Sequence, residues 1–126
     1  MPELPEVETI RRGIEPWIVD RTITAVEIRV AKLRRPIPED LGRKLVGKRV
    51  HAVERRGKYL LFRCADGSVI LHLGMSGYLR VLRKSIPPER HDHVDIVFSG
   101  GIRLRLTDPR RFSTLLWTEN DPLVHP

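Results

Sequence analysis

The feature that most limits how this chain can fold is a series of short apolar runs, each closed by a turn signal. The runs at 49–54, 59–63, 69–73, 78–82, 94–98, 102–106 and 114–117 are four to six residues long. That is too short for helices and the usual length of strands. Between them lie Arg56-Gly57, Asp66-Gly67, the glycines of 74–77, Pro87-Pro88, Ser99-Gly100-Gly101 and Asp108-Pro109. A further strand begins near Thr22, where apolar and polar residues alternate through Val30. Two helices complete the expectation. Val7, Ile10, Ile14, Trp17 and Ile18 recur at helical spacing over about 5–19, with Pro16 expected to kink or shorten the helix and Trp17 expected in the core. Pro38-Glu39-Asp40-Leu41 opens a short second helix ending near Gly47. The fold class that follows is α+β, mainly β: a two-sheet antiparallel sandwich of about eight strands. Residues 1–126 read as one domain, with 120–126 resembling the start of a linker.

Composition narrows the partner. The chain carries 23 Lys plus Arg against 16 Asp plus Glu, a net charge of +7. No stretch approaches the length of apolar residues needed to cross a membrane as a helix, so no membrane partner is expected. The single cysteine, Cys64, excludes an internal disulfide and a cysteine-cluster metal site within these residues. A basic domain poor in cysteine points to an anionic partner and a cytoplasmic setting. Eighteen of the basic residues are Arg. Arginine suits bidentate contact with phosphate and guanine, but a GC-rich genome also inflates it, and composition alone does not separate the two.

Five places hold residues able to do chemistry. At the N-terminus, removal of Met1 would expose the secondary amine of Pro2. An α-amine is partly unprotonated at neutral pH and can attack an aldehyde to give an iminium, with Glu3 beside it to handle protons. Met-Pro-Glu also begins many unrelated chains. Lys58, between two strands, is either a solvated turn residue or a phosphate clamp and proton donor. Met75, at the tip of the Gly74-Met75-Ser76-Gly77 turn, is either folded into the core or an apolar wedge of the kind that unstacks bases. Arg110-Arg111-Phe112, after another turn, could stack on bases and read an edge, or form a solvated basic loop with Phe112 tucked beneath it. His91-Asp92-His93 has the look of a metal site without further clustered ligands, and hydrogen-bonding roles are preferred.

Taken together, Pro2-Glu3-Leu4-Pro5-Glu6-Val7-Glu8-Thr9, Gly57-Lys58-Tyr59-Leu60, His72-Leu73-Gly74-Met75-Ser76-Gly77, His91-Asp92-His93-Val94-Asp95 and Thr107-Asp108-Pro109-Arg110-Arg111-Phe112 stand in one order across the chain. This set resembles the N-terminal domain of bacterial formamidopyrimidine-DNA glycosylases, and the opening Pro-Glu-Leu-Pro-Glu-Val-Glu favours them over the related endonuclease VIII. The resemblance implies a bifunctional base-excision repair enzyme. It would remove 8-oxoguanine and formamidopyrimidines from double-stranded DNA, then nick the abasic site through a Schiff base. It further implies Pro2 as nucleophile, Glu3 as proton donor for glycosylase chemistry, and Lys58 as proton donor for β-elimination and a phosphate contact. Met75, Arg110 and Phe112 would fill the gap left by the flipped nucleotide, with Arg110 facing the orphaned cytosine. His91 and Arg110 would bind DNA, His72 and Arg111 would meet backbone phosphates, and Glu6 would approach the damaged base. Ser113 departs from the glycine expected after the Phe, and could stiffen that loop.

The family chain is about twice as long, monomeric, and continues into a helix–two-turns–helix module and a four-cysteine zinc finger. Neither is present here, so no cofactor is expected in this chain and the one zinc belongs to the finger. Two other readings remain: a non-catalytic DNA-binding module of the same fold, and an unrelated basic RNA-binding barrel. The low aromatic content, 6%, argues against a row of stacking rings and so against the barrel.

Overall fold

The computed structural model describes residues 4–119; Pro2, Glu3 and the 120–126 segment read as a linker lie outside the described residues. Helix α1 (Leu4–Ile18) comes first, with Val7, Ile14 and Ile18 buried on one face. Strand β1 (Arg21–Ile28) and helix α2 (Leu41–Leu45) follow. Eight further strands complete the described chain: β2 (Arg49–Val50), β3 (Ala52–Arg56), β4 (Tyr59–Cys64), β5 (Gly67–His72), β6 (Tyr78–Leu82), β7 (Asp92–Phe98), β8 (Ile102–Thr107) and β9 (Thr114–Thr118).

All pairings are antiparallel and fall into two sheets, ordered β2-β1-β7-β8-β6 and β3-β4-β5-β9. The inward residues of both sheets, among them Ile23, Leu60, Phe62, Val69, Leu71, Ile96, Leu104 and Leu106, form one buried core. Their removal from water is the main stabilising term. Each open side of the sandwich is closed by a helix. Helix α1 packs on β3 and β6, the edge strands of the two sheets, while α2 packs on β1 and β9. Arg11 of α1 donates to the Val53 carbonyl at 3.3 Å, occupying part of the β3 edge that would otherwise offer itself to another strand.

The described residues hold nine strands rather than about eight, because the run 49–54 divides at His51. Arg49–Val50 pairs with β1 in the first sheet, whereas Ala52–Arg56 pairs with β4 in the second. The chain changes sheets at this corner, and the His51 N–H already bonds the Arg63 carbonyl, at 2.8 Å. Pro16 does not stop α1. It removes one backbone donor in the last turn; the Val19 N–H still reaches the Glu15 carbonyl at 3.1 Å, and Asp20 closes the segment with a left-handed φ of 67°. Trp17 is half-buried rather than core, with the Arg83 guanidinium 5.0 Å from its ring. No helix among the described residues is long and apolar enough to cross a membrane.

Candidate nucleic-acid interface

Strand register brings the scattered motifs to one end of the sandwich. In the second sheet, Tyr59, His72 and Thr114 stand in a row across β4, β5 and β9. Lys58 precedes the first, Gly74-Met75-Ser76 follows the second, and Arg110-Arg111-Phe112-Ser113 leads into the third. In the first sheet, Tyr78, Thr107 and Asp92 form a matching row across β6, β8 and β7. Here Ser76-Gly77 precedes Tyr78, Asp108 follows Thr107, and His91 precedes Asp92. Six of the seven candidates within 58–112 lie in the loops that these rows emit, and the seventh, His72, lies on a row.

The start of α1 belongs to the same end. Arg11 meets Val53, and Glu8, nearer the helix start, meets Arg55 at 3.2 Å. The helix therefore runs antiparallel to β3, and its first turn, with exposed Glu6, heads toward the Gly57-Lys58 hairpin. Glu8 accepts from Arg11, Arg12 and Arg55, which hold its carboxyl far below the usual range despite some opposing desolvation. Pro2 and Glu3 precede Leu4 in sequence and lie outside the described residues.

The local geometry of each candidate follows from its turn. Lys58 occupies the second position of a two-residue hairpin whose first, Gly57, has φ of 60°, a conformation that costs glycine little. His72 sets its ring edge to face with Tyr59, centroids 4.7 Å apart, and its Nδ1 accepts the Gly74 N–H at 3.0 Å. That bond leaves Nε2 to carry the proton of a neutral ring. Burial pushes the His72 pKa down, aided by the positive charges of Lys58 and Arg34. Met75 is 48% exposed at the tip of its turn, so it is not core. Arg110 is exposed and lies over the Phe112 ring, 4.9 Å from its centroid. Phe112 is half-buried, between the two positions its sequence allowed, and Arg111 is exposed with a left-handed φ of 56°.

The His91-Asp92-His93 triplet is divided in role. His93 is buried and its Nε2 donates to the Asp108 carbonyl at 2.9 Å. Asp92 accepts from Thr107, Arg80 and the Glu89 N–H. Only His91 is partly open to solvent, and its carbonyl accepts the Asp108 N–H at 3.0 Å. Among the described residues no group of three His, Cys, Asp or Glu side chains could hold a metal ion. Cys64 is buried, and desolvation raises its pKa to about 11, so it is a poor ligand.

Sequence reasoning missed Asp108, Ser76 and Arg34. Asp108 is fully buried and receives hydrogen bonds from Ser76 and Ser113. Arg34 reaches this end through a bond from its N–H to the Ser113 carbonyl, at 3.0 Å. The Asp-Pro pair marked a turn but not the direction of the carboxylate, and Arg34 is far from the other motifs in sequence.

A two-sheet sandwich with Lys58, His72, Met75, His91 and Arg110-Arg111-Phe112 at one end defines a class, and comparison with known proteins agrees with it. Residues 1–115 match the formamidopyrimidine-DNA glycosylase N-terminal domain, and the chain belongs to this family. It is 59% identical over 125 residues to the formamidopyrimidine-DNA glycosylase of Geotalea uraniireducens, covering 99% of this chain and 46% of that protein. It is 56% identical to the Geobacter sulfurreducens enzyme of the same name, covering all of this chain and 46% of that one. The chain thus spans about half the length of the curated relatives it matches. Among solved structures, the Lactococcus lactis enzyme bound non-covalently to DNA containing an abasic site superimposes with a TM-score of 0.87 at 36% identity, covering 97% of this chain and 47% of that one. The same enzyme in complex with DNA containing a formamidopyrimidine lesion gives 0.86, again at 36% identity, covering 97% of this chain and 46% of that one.

Proposed function

We propose that this chain is the catalytic N-terminal domain of a bifunctional DNA glycosylase and abasic-site lyase, acting in the cytoplasm on oxidised purines in double-stranded DNA. The observation that carries the reading is the register that gathers Lys58, His72, Met75, His91 and the 110–112 loop beside the start of α1. Residues 1–126 form one domain; the helix–two-turns–helix and zinc-bearing regions of the family belong to the rest of the protein.

The chemistry follows from the target. The sugar C1′ is out of reach in a stacked duplex, so the nucleotide must be extruded. Met75 and Phe112 are the apolar groups that occupy the vacated space, and Arg110, stacked on Phe112, faces the widowed base. The Pro2 amine attacks C1′ as the glycosidic bond breaks, with Glu3 managing the proton, and the base leaves. Opening of the sugar ring yields an iminium between the Pro2 nitrogen and C1′. Its positive charge acidifies the C2′ proton, whose loss expels the 3′ phosphate. Lys58 supplies a proton to this elimination and holds a phosphate. His72 and Arg111 meet neighbouring phosphates, His91 binds the backbone, and Glu6 approaches the damaged base.

Borohydride trapping tests the reading. Duplex DNA with an abasic site should be captured covalently by protein that begins at Pro2, and not by protein retaining Met1, where the nitrogen is a tertiary amide. The α-amine exceeds a lysine in free base by a factor on the order of a hundred at neutral pH, so Pro2 should outcompete Lys58. Equal capture with Met1 retained would move the nucleophile to a lysine. Binding without capture would favour a DNA-binding module that lacks the chemistry.

A further inference from the structure

The wedge reading requires Met75 on one loop and Arg110 and Phe112 on another to meet DNA in fixed relative positions. These loops leave different strands, and a network around one buried carboxylate connects them. Asp108 is 0% exposed. Its Oδ1 accepts the Ser76 hydroxyl, and its Oδ2 accepts both the Ser113 N–H, at 2.8 Å, and the Ser113 hydroxyl, at 2.6 Å. Ser76 Oγ in turn accepts the Arg110 N–H at 3.3 Å, so this one hydroxyl touches both sides of the gap. The backbone of Asp108 is engaged as well, its N–H by His91 and its carbonyl by His93. The Ser113 carbonyl accepts the Arg34 N–H, which brings in a third loop. The contact between loops is also steric. A Cβ on Gly74, whose φ is 65°, would sit 2.5 Å from the Phe112 carbonyl oxygen.

We propose that Asp108 is a positioning residue that makes the Met75 and Arg110–Phe112 loops one rigid unit, with Ser76 and Ser113 as its two arms. The proposal rests on the reading that both loops enter DNA. A carboxylate is suited to the task because it is acceptor-only at two oxygens, so each loop can donate to it at once; an amide would turn a donor toward donors. Such charge-assisted bonds are short and strong, and a buried network with every member satisfied is rigid. Burial opposes the charged form of Asp108, but the bonds from Ser113 and Ser76 outweigh it and hold the pKa below the ordinary value. The carboxylate is thus ionised at neutral pH, sustained by hydrogen bonds from serine hydroxyls and backbone. Ser113, where the family resemblance leads one to expect glycine, adds a hydroxyl arm that glycine could not supply.

Hydrogen exchange in the chain itself tests the coupling, because a change on one loop can be read on the other. Ser76→Ala should speed exchange of the Ser113 amide about tenfold, leave the Phe62 amide in the core unchanged, and be rescued by Ser76→Thr, which keeps the hydroxyl. Exchange at Ser113 within twofold of wild type would overturn the proposal, as would equal acceleration at Phe62, which would mark Ser76 as a general stability residue. A second readout is the preference for a duplex containing a tetrahydrofuran abasic analogue over an intact duplex. Ser76→Ala should lower that preference about fivefold without changing affinity for the intact duplex. Faster exchange with unaltered preference would overturn the positioning role if Met75→Ala and Phe112→Ala reduce the preference. If those two variants also leave it unaltered, the DNA reading fails while the mechanical coupling stands.

Discussion

On the outer face of the five-stranded sheet, Arg29, Arg103 and Arg105 converge on one carboxylate, Asp95, at 2.8–3.2 Å. At the end of the sandwich, Arg110 lies on the Phe112 ring, and Arg34 and Arg111 are exposed. The first set is structural. Arg105 is 1% exposed, and its guanidinium also donates to the carbonyls of Ile86 and Pro87, which fastens the β6–β7 connection over the sheet. The second set presents charge where a phosphate can reach it. An excess of arginine therefore has two causes in one molecule, and composition mixes them. The two buried aspartates differ in the same way: Asp95 is held by three cations across strands, whereas Asp108 is held by hydroxyls and an amide across loops.

The largest expected effect comes from breaking the sheet cluster. Asp95→Asn leaves buried Arg105 with only its longer pair to Asp92, at 3.6 Å, and should cost about 3 kcal/mol in urea unfolding. Loss of less than about 1 kcal/mol would show that the cluster is well solvated and the contrast with the loop end overstated. Next is Gly74→Ala, which combines a positive φ with a clash against the Phe112 backbone; about 2 kcal/mol is expected, together with altered chemical shifts at Met75 and Arg110.

Acid should act on both regions with the same sign. Asp95 is opposed by burial, but Arg105, Arg29 and Arg103 carry its pKa well below the ordinary value; for Asp108, Ser113 and Ser76 have the same effect. A carboxyl whose folded pKa is depressed stabilises the fold above its unfolded pKa, about 3.9 for Asp, and this contribution is lost as pH falls through the folded value. Urea midpoints should therefore show no aspartate-linked loss from pH 7 to 5 and fall below about pH 4, less steeply in Asp95→Asn. The smallest effects on stability belong to the exposed loop. Arg110→Ala should cost under about 0.5 kcal/mol and Phe112→Ala about 1 kcal/mol, while both impair discrimination of abasic-analogue DNA. A melting temperature collapse in Phe112→Ala would place that ring in the core.

The strands were legible because the apolar runs and turn residues coincide, and α1 because Val7, Ile14 and Ile18 repeat at helical spacing. His51 hid the sheet change: nothing in 49–54 marks which partner each half would find. Arg103 and Arg105 alternate with core leucines along β8, and nothing in that pattern marks Arg105 as buried beneath the Ile86 and Pro87 carbonyls. At the site, Lys58, Met75 and Phe112 could be singled out by turn position and by resemblance. The Ser76-Asp108-Ser113 network could not, since its bonds join residues 32 and 5 positions apart, the first across two loops, and exist only once β5, β6, β8 and β9 are in register.

The most direct measurement of the account is amide and methyl chemical-shift mapping while the chain is titrated with a duplex containing the tetrahydrofuran analogue. The shifts should concentrate at Leu4, Arg34, Lys58, His72, Met75, His91 and Arg110–Ser113 and weaken steeply with added salt, as phosphate contacts require. Perturbation centred instead on Glu27, Arg29, Arg103 and the outer sheet face would contradict the assignment of the loop end as the DNA surface.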